Sequence, residues 1–226
     1  MRELPAPLMA RFWQAAAGLP GVDEAVYRQA GRDPRDPVFG LGPVDAAIAF
    51  FGRDPGRDEV HVGVPFIGAG GRQLRRVLYR RRHQGELVTT EQALEAGRDY
   101  FWANTVPYKP TGNKAWPMRV KRHFQPLVAT VLLACWHGRE VITLGREAFL
   151  WFGIGQTPAL RQHLAHHWQR PDRFETSLDI DYKGPDDLSR GLRLHPLPHP
   201  SPLNATWFKR FPALLEARLA ALEAAS

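Results

Sequence analysis

Ala46-Ala47-Ile48-Ala49-Phe50-Phe51-Gly52-Arg53-Asp54-Pro55-Gly56 is an apolar run that meets a glycine and turns at once into a charged loop bounded by proline and glycine. A short unbroken apolar run of this kind reads as a strand buried on both faces. Working outward, similar runs at 100–104, 140–145 and 192–197 predict three more strands. Helical spacing lies between them. Residues 70–82 carry Leu74, Val77 and Leu78, and residues 120–136 carry Phe124, Leu127, Val128, Val131, Leu132 and Cys135. Shorter helices are expected at 146–152 and 158–168, and an amphipathic one at 206–224. Strands alternating with helices predict an α/β fold, a three-layer α/β/α sandwich around a central four-stranded parallel sheet. Two short helices, 9–18 and 22–30, precede it in an N-terminal extension over 1–37 that ends in Gly31-Arg32-Asp33-Pro34-Arg35-Asp36-Pro37. The polar, turn-rich stretch 170–190 reads as a surface excursion. Residues 1–226 together are expected to form one domain around one core.

Composition narrows the function classes. Formal net charge is +7, and 25 of the 30 basic residues are arginine, a balance that suits a polyanionic partner. Cys135 is the only cysteine, so neither a disulfide nor a cysteine-held cluster can form within the chain. No tight histidine and carboxylate spacing points to a metal, and no Gly-x-Ser-x-Gly elbow points to a serine hydrolase. No metal and no cofactor is expected. No apolar run approaches the roughly 20 residues that span a bilayer. The start, Met1-Arg2-Glu3-Leu4-Pro5, lacks a charged head followed by a long apolar stretch. A cytoplasmic monomer is the expectation.

In open parallel sheets, ligands bind at the carboxyl ends of the strands. Four informative positions fall there: the Gly52 to Gly56 loop, Asn104, Gly145 and His199. Glycines at 63, 68, 70 and 71 allow close backbone approach and open a helix at its anion-favouring end. Phe66, between Pro65 and Gly68, is placed either to stack on a base or to anchor the loop in the core. Asn104 is either a pyrimidine-reading amide or a turn former. In His199-Pro200-Ser201-Pro202-Leu203-Asn204 two prolines stiffen a loop with an apolar tip. Leu203 on such a tip suits entry into a base stack, Ser201 suits a phosphate contact, and His199 suits a leaving base.

The run from Ala46 to Gly56, with Phe39-Gly40 before it and Gly63-Val64-Pro65-Phe66-Ile67-Gly68-Ala69-Gly70 after it, resembles the first motif of the family 4 enzymes of the uracil-DNA glycosylase superfamily. Asn104-Thr105-Val106-Pro107-Tyr108-Lys109-Pro110-Thr111-Gly112-Asn113 is similar to their second strand end. His199-Pro200-Ser201-Pro202-Leu203 is similar to the leucine loop of the family 1 enzymes, and the resemblance spans residues 39–215. It implies excision of uracil, and of related deaminated bases, from single- or double-stranded DNA in base excision repair. A catalytically weak, damage-binding member of the same superfamily is the alternative. By the resemblance, Asp54 positions the attacking water and His199 stabilises charge on uracil O2. Phe66 stacks on the flipped base, Asn104 reads its edge, and Gly52, Arg53 and Gly56 belong to the base pocket. Leu203, with Ser201, Pro202 and Asn204, faces DNA as the wedge. Three departures stand out. The four cluster cysteines of family 4 are absent, Arg53 replaces an expected Gln or Glu, and Gly56 stands where family 1 has a tyrosine that blocks the thymine methyl. The last implies a pocket open to larger or modified bases.

Overall fold

The computed structural model describes residues 3–224, so positions 1–2 and 225–226 of the expected domain lie outside the described residues. The apolar runs form β1 (Ile48–Gly52), β2 (Phe101–Asn104) and β3 (Glu140–Leu144), followed by β4 (Leu178–Lys183) and β5 (Ser189–Leu197). They make one open sheet in the order β2-β1-β3-β5-β4. β1 pairs in parallel with both β2 and β3, and β3 pairs in parallel with β5.

Two expectations are corrected here. The sheet has five strands rather than four, and it is not wholly parallel, because β4 runs antiparallel to β5 with Leu178 opposite Leu194 and Lys183 opposite Ser189. This strand comes from the stretch read as a surface excursion. Leu178, Ile180 and Tyr182 are buried while Asp179, Asp181 and Lys183 are exposed. That two-residue alternation is the signature of a half-buried strand, hidden by the charges on its outer face. The connection to β5 turns through Asp186 and Asp187, whose φ values of 54° and 57° are left-handed, as a type I′ hairpin turn requires.

The helices are α1 (Ala6–Ala16), α2 (Glu24–Gln29), α3 (Arg57–Val62), α4 (Ala69–Arg82), α5 (Thr90–Ala96), α6 (Met118–Ala134), α7 (Arg146–Trp151), α8 (Pro158–Gln169) and α9 (Ala205–Ala224). Two of them, α3 and α5, had no counterpart in the apolar periodicity. The start of α5 is written in its cap: Thr89 Oγ1 accepts from Gln92 N at 3.2 Å, and Gln92 Oε1 accepts from Thr89 N at 2.9 Å.

Alternation along the strands sends successive side chains to opposite helical layers. Ala49, Phe51, Phe101 and Val141 pack with Phe12, Phe124 and Phe149 from α1, α6 and α7. Phe50, Trp102, Ile142 and Leu144 pack with Leu74, Leu78, Phe211 and Leu215 from α4 and α9. Each large side chain so buried contributes about 1.5–3 kcal/mol. A buried polar network joins sheet and C-terminal helix: His195 Nε2 lies 2.6 Å from Glu140 Oε2, and His195 Nδ1 lies 2.8 Å from Ser177 Oγ. Arg218 of α9 donates to the same Ser177 Oγ at 2.9 Å. Among the described residues no helix is long and apolar enough to cross a membrane.

Candidate active site

The chain leaves the parallel strands β1, β3 and β5 at the same end of the sheet, which places Arg53-Asp54, Gly145 and His199 side by side. Gly145 N donates to Leu197 O at 2.8 Å and ties two of these strand ends together. With φ at 90°, Gly145 holds a conformation that side-chain-bearing residues rarely adopt, and a Cβ there would stand 2.9 Å from His199 Cβ. Its bare α-carbon is what seats the His199 loop against β3.

These loops enclose a cleft of about 990 Å³, walled by Arg53, Asp54, Gly56, Phe66, His199 and the tip 200–204 among others. Gly52 and Asn104 are not on its wall. Both are buried behind the Phe66 ring: a Cβ on Gly52 would meet Phe66 Cζ at 2.3 Å and Asn104 Oδ1 at 3.3 Å. Gly52 therefore gives the ring its place.

Phe66 itself is half-buried, its ring 5.3 Å from that of Trp102. Its φ of 59° is unusual for a residue with a large side chain and costs backbone energy unless the surroundings impose it. Arg75, buried on α4, imposes it. Nε donates to Phe66 O at 2.7 Å, and the two terminal nitrogens donate to Ala93 O at 2.7 Å and Pro65 O at 3.0 Å. The guanidinium also lies 4.3 Å above the Trp102 ring. Glu59 is a second clamp, accepting from Gly56 N and, at 3.3 Å, from Gly68 N, so it joins the loop after β1 to the start of α4. Burial pushes its carboxyl up from the usual range. A side chain at Gly56 would run into Glu59, since a Cβ there falls 2.3 Å from Glu59 Oε2.

Asp54 has a side chain only 1% exposed, with Arg53 Nε 3.0 Å from its Oδ2. Thr105 Oγ1 lies 3.5 Å from its Oδ1. Burial pushes the carboxyl up to about 7, against the pull of Arg53 and of Lys121, the buried α6 lysine paired with Glu147. Burial and the neighbouring Arg53 charge hold His199 down at about 4, so its imidazole is neutral at pH 7. Beyond it the tip is braced by its own hydrogen bonds, Ser201 N to His199 O at 2.9 Å and Asn204 N to Ser201 O at 2.9 Å. Leu203 stands 98% exposed at the summit.

The N-terminal extension also reaches the cleft, with Asp23 and Val26 on its wall. Lys109 Nζ bonds Asp23 Oδ2 at 2.8 Å and Pro110 O at 3.0 Å, fastening that extension to the loop after β2. Asp23, Glu59 and Arg75 were not singled out from the sequence. Arg75 had left a trace, since it follows Leu74 and precedes Leu78 by three positions, on the inward face of its helix. Among the described residues no three His, Cys, Asp or Glu side chains gather as a metal-holding group.

Residues 39–223 match the family model described as the uracil DNA glycosylase superfamily. No curated protein matches the chain.

Proposed function

The chain belongs to the uracil DNA glycosylase superfamily, and from that premise we propose that it hydrolyses the N-glycosidic bond of uracil, and of related deaminated bases, in DNA, as the opening step of base excision repair. The observation that carries this reading is the meeting of Asp54, Phe66 and His199 on one cleft whose rim bears the exposed Leu203. A base must leave the stack before a side chain can reach its glycosidic bond, at a cost of a few kcal/mol. Leu203, on a proline-stiffened loop, fills the vacated place in the duplex, and Ser201, Pro202 and Asn204 carry it against the strand. Phe66 stacks on the extruded base, while Asn104, behind that ring, reads the base edge once the ring shifts on binding.

Bond breaking then separates charge. The C1′–N electron pair goes to the base, the sugar becomes oxocarbenium-like, and catalysis consists of meeting both charges with pre-placed groups. Asp54 as carboxylate faces the sugar, orients the water that adds to C1′ and takes up its proton. Neutral His199 donates a hydrogen bond to the base oxygen that gains charge. With no tyrosine at position 56, the pocket also admits bases larger than uracil.

Single-turnover release from single-stranded and duplex oligonucleotides carrying uracil, thymine, hypoxanthine or xanthine opposite guanine tests the proposal. Uracil should be released, and no base released at enzyme excess from any substrate would end it. The second reading, a damage-binding protein with weak catalysis, is favoured by one observation: Asp54 is 1% exposed and covered by Arg53. Tight lesion binding without release would establish that reading instead.

A further inference from the structure

We propose that the Arg53 guanidinium supplies the positive charge that meets the departing base, with His199 acting beside it as an uncharged donor. The inference rests on the glycosylase reading above and assigns a charge that this reading leaves unprovided. A base leaving as an anion calls for a cation close to it, and the half-buried imidazole of His199 does not provide one at neutral pH.

Two other cations, Lys109 and Arg57, line the cleft. Lys109 is held by Asp23 and Pro110 O, and Arg57 has a side chain 70% exposed beside Asp58. Arg53 lies on the same wall as His199, one residue before Asp54, with a side chain 30% exposed. Its charge acts on both of those residues, drawing Asp54 toward ionisation and disfavouring a second cation on His199. A guanidinium carries its donors in a planar fork, so Arg53 can offer a charge and hydrogen bonds together.

The pairing has a further property. Before reaction, Arg53 and Asp54 form a contact ion pair with Nε 3.0 Å from Oδ2. In the transition state the substrate becomes an ion pair of its own, sugar positive and base negative. Asp54 then faces the positive half and Arg53 the negative half, so the protein's dipole opposes the substrate's as it forms. The electrons of the broken bond stay on the base, the water proton passes to Asp54, and solvent reprotonates the released base.

A fixed cation beside the leaving group matters most for a base that leaves reluctantly. Release of uracil and of the more acidic 5-fluorouracil from single-stranded DNA should therefore be compared, at one neutral pH, for the wild type, Arg53→Gln and Arg53→Lys. Arg53→Gln should lose about 100-fold or more on uracil but less than about 10-fold on 5-fluorouracil, with part of the uracil activity restored in Arg53→Lys. Equal losses on both bases would overturn the assignment, because a residue that only shapes the loop or ionises Asp54 slows every leaving group alike. Thermal melting of each variant separates misfolding from chemistry, and if Arg53→Gln melts below the assay temperature, the equally uncharged Arg53→Met carries the same comparison. Wild-type protein that releases neither base would remove the glycosylase reading itself, and the role of Arg53 with it.

Discussion

Asp54 is pulled in two directions, by burial toward the neutral acid and by Arg53 and Lys121 toward the carboxylate, and the balance falls at about 7. If the carboxylate is the working form, single-turnover excision should rise with pH through a midpoint near that value. On the mechanism proposed above, in which Asp54 acts after base extrusion, Asp54→Asn should lower excision by at least about 100-fold while DNA binding is kept. The same substitution carries a stability signature. A carboxyl whose folded value lies above its ordinary 3.8 stabilises the fold at low pH and gives that stability up as pH rises through about 7. Asparagine avoids the buried charge, so above neutrality the variant should be more stable by about 2 kcal/mol, a rise in Tm of roughly 4–8 °C. An inactive variant that melts earlier would instead mark Asp54 as a structural ion-pair partner. Asp54, Phe66 and His199 were legible in the sequence because each sits in a motif of unusual composition. Glu59 was not, since a glutamate after a loop looks like ordinary solvated surface until its backbone partners are seen, and Arg75 left only its inward position beside Leu74 and Leu78 on a basic helix.

At the scale of elements, the four parallel strands and the longer helices were legible because unbroken apolar runs and wide stripes survive any averaging. β4 was lost for the opposite reason, as its outward charges cancel its buried Leu178, Ile180 and Tyr182 in a segment average. Its hairpin turn can be made more stable. Asp186 and Asp187 both hold left-handed φ, where aspartate is tolerated and glycine is at ease. Asp187→Gly should raise stability by about 0.5–1 kcal/mol, read as a higher urea midpoint with unchanged slope. The network below the cleft gives a second handle. Burial holds His195 at about 4, below its ordinary 6.5, so its contribution is complete above 6.5 and drains away as pH falls toward 4. His199 shares the same window. Tm should therefore drop over that range, and His195→Asn should remove about half of the drop. A variant with an undiminished acid slope would show that other groups control it.

Across the whole molecule, a formal charge of +7 supplies attraction to DNA that is blind to sequence and falls with salt, while in the proposed function the tip that bears Leu203 engages the lesion. Leu203→Ala should slow release from duplex DNA far more than from single strands, because only the duplex has a stack to wedge open. Identical losses on both substrates would rule out intercalation. The chain order of the cleft has its own consequence. Its carboxylate follows β1, its imidazole follows β5, and β3 must lie between them before Gly145 can seat the His199 loop. A polypeptide still emerging from the ribosome, or one cut before β5, holds Asp54 and Phe66 with nothing opposite them. On the function proposed above, base release therefore waits until the last strand of the sheet is in place.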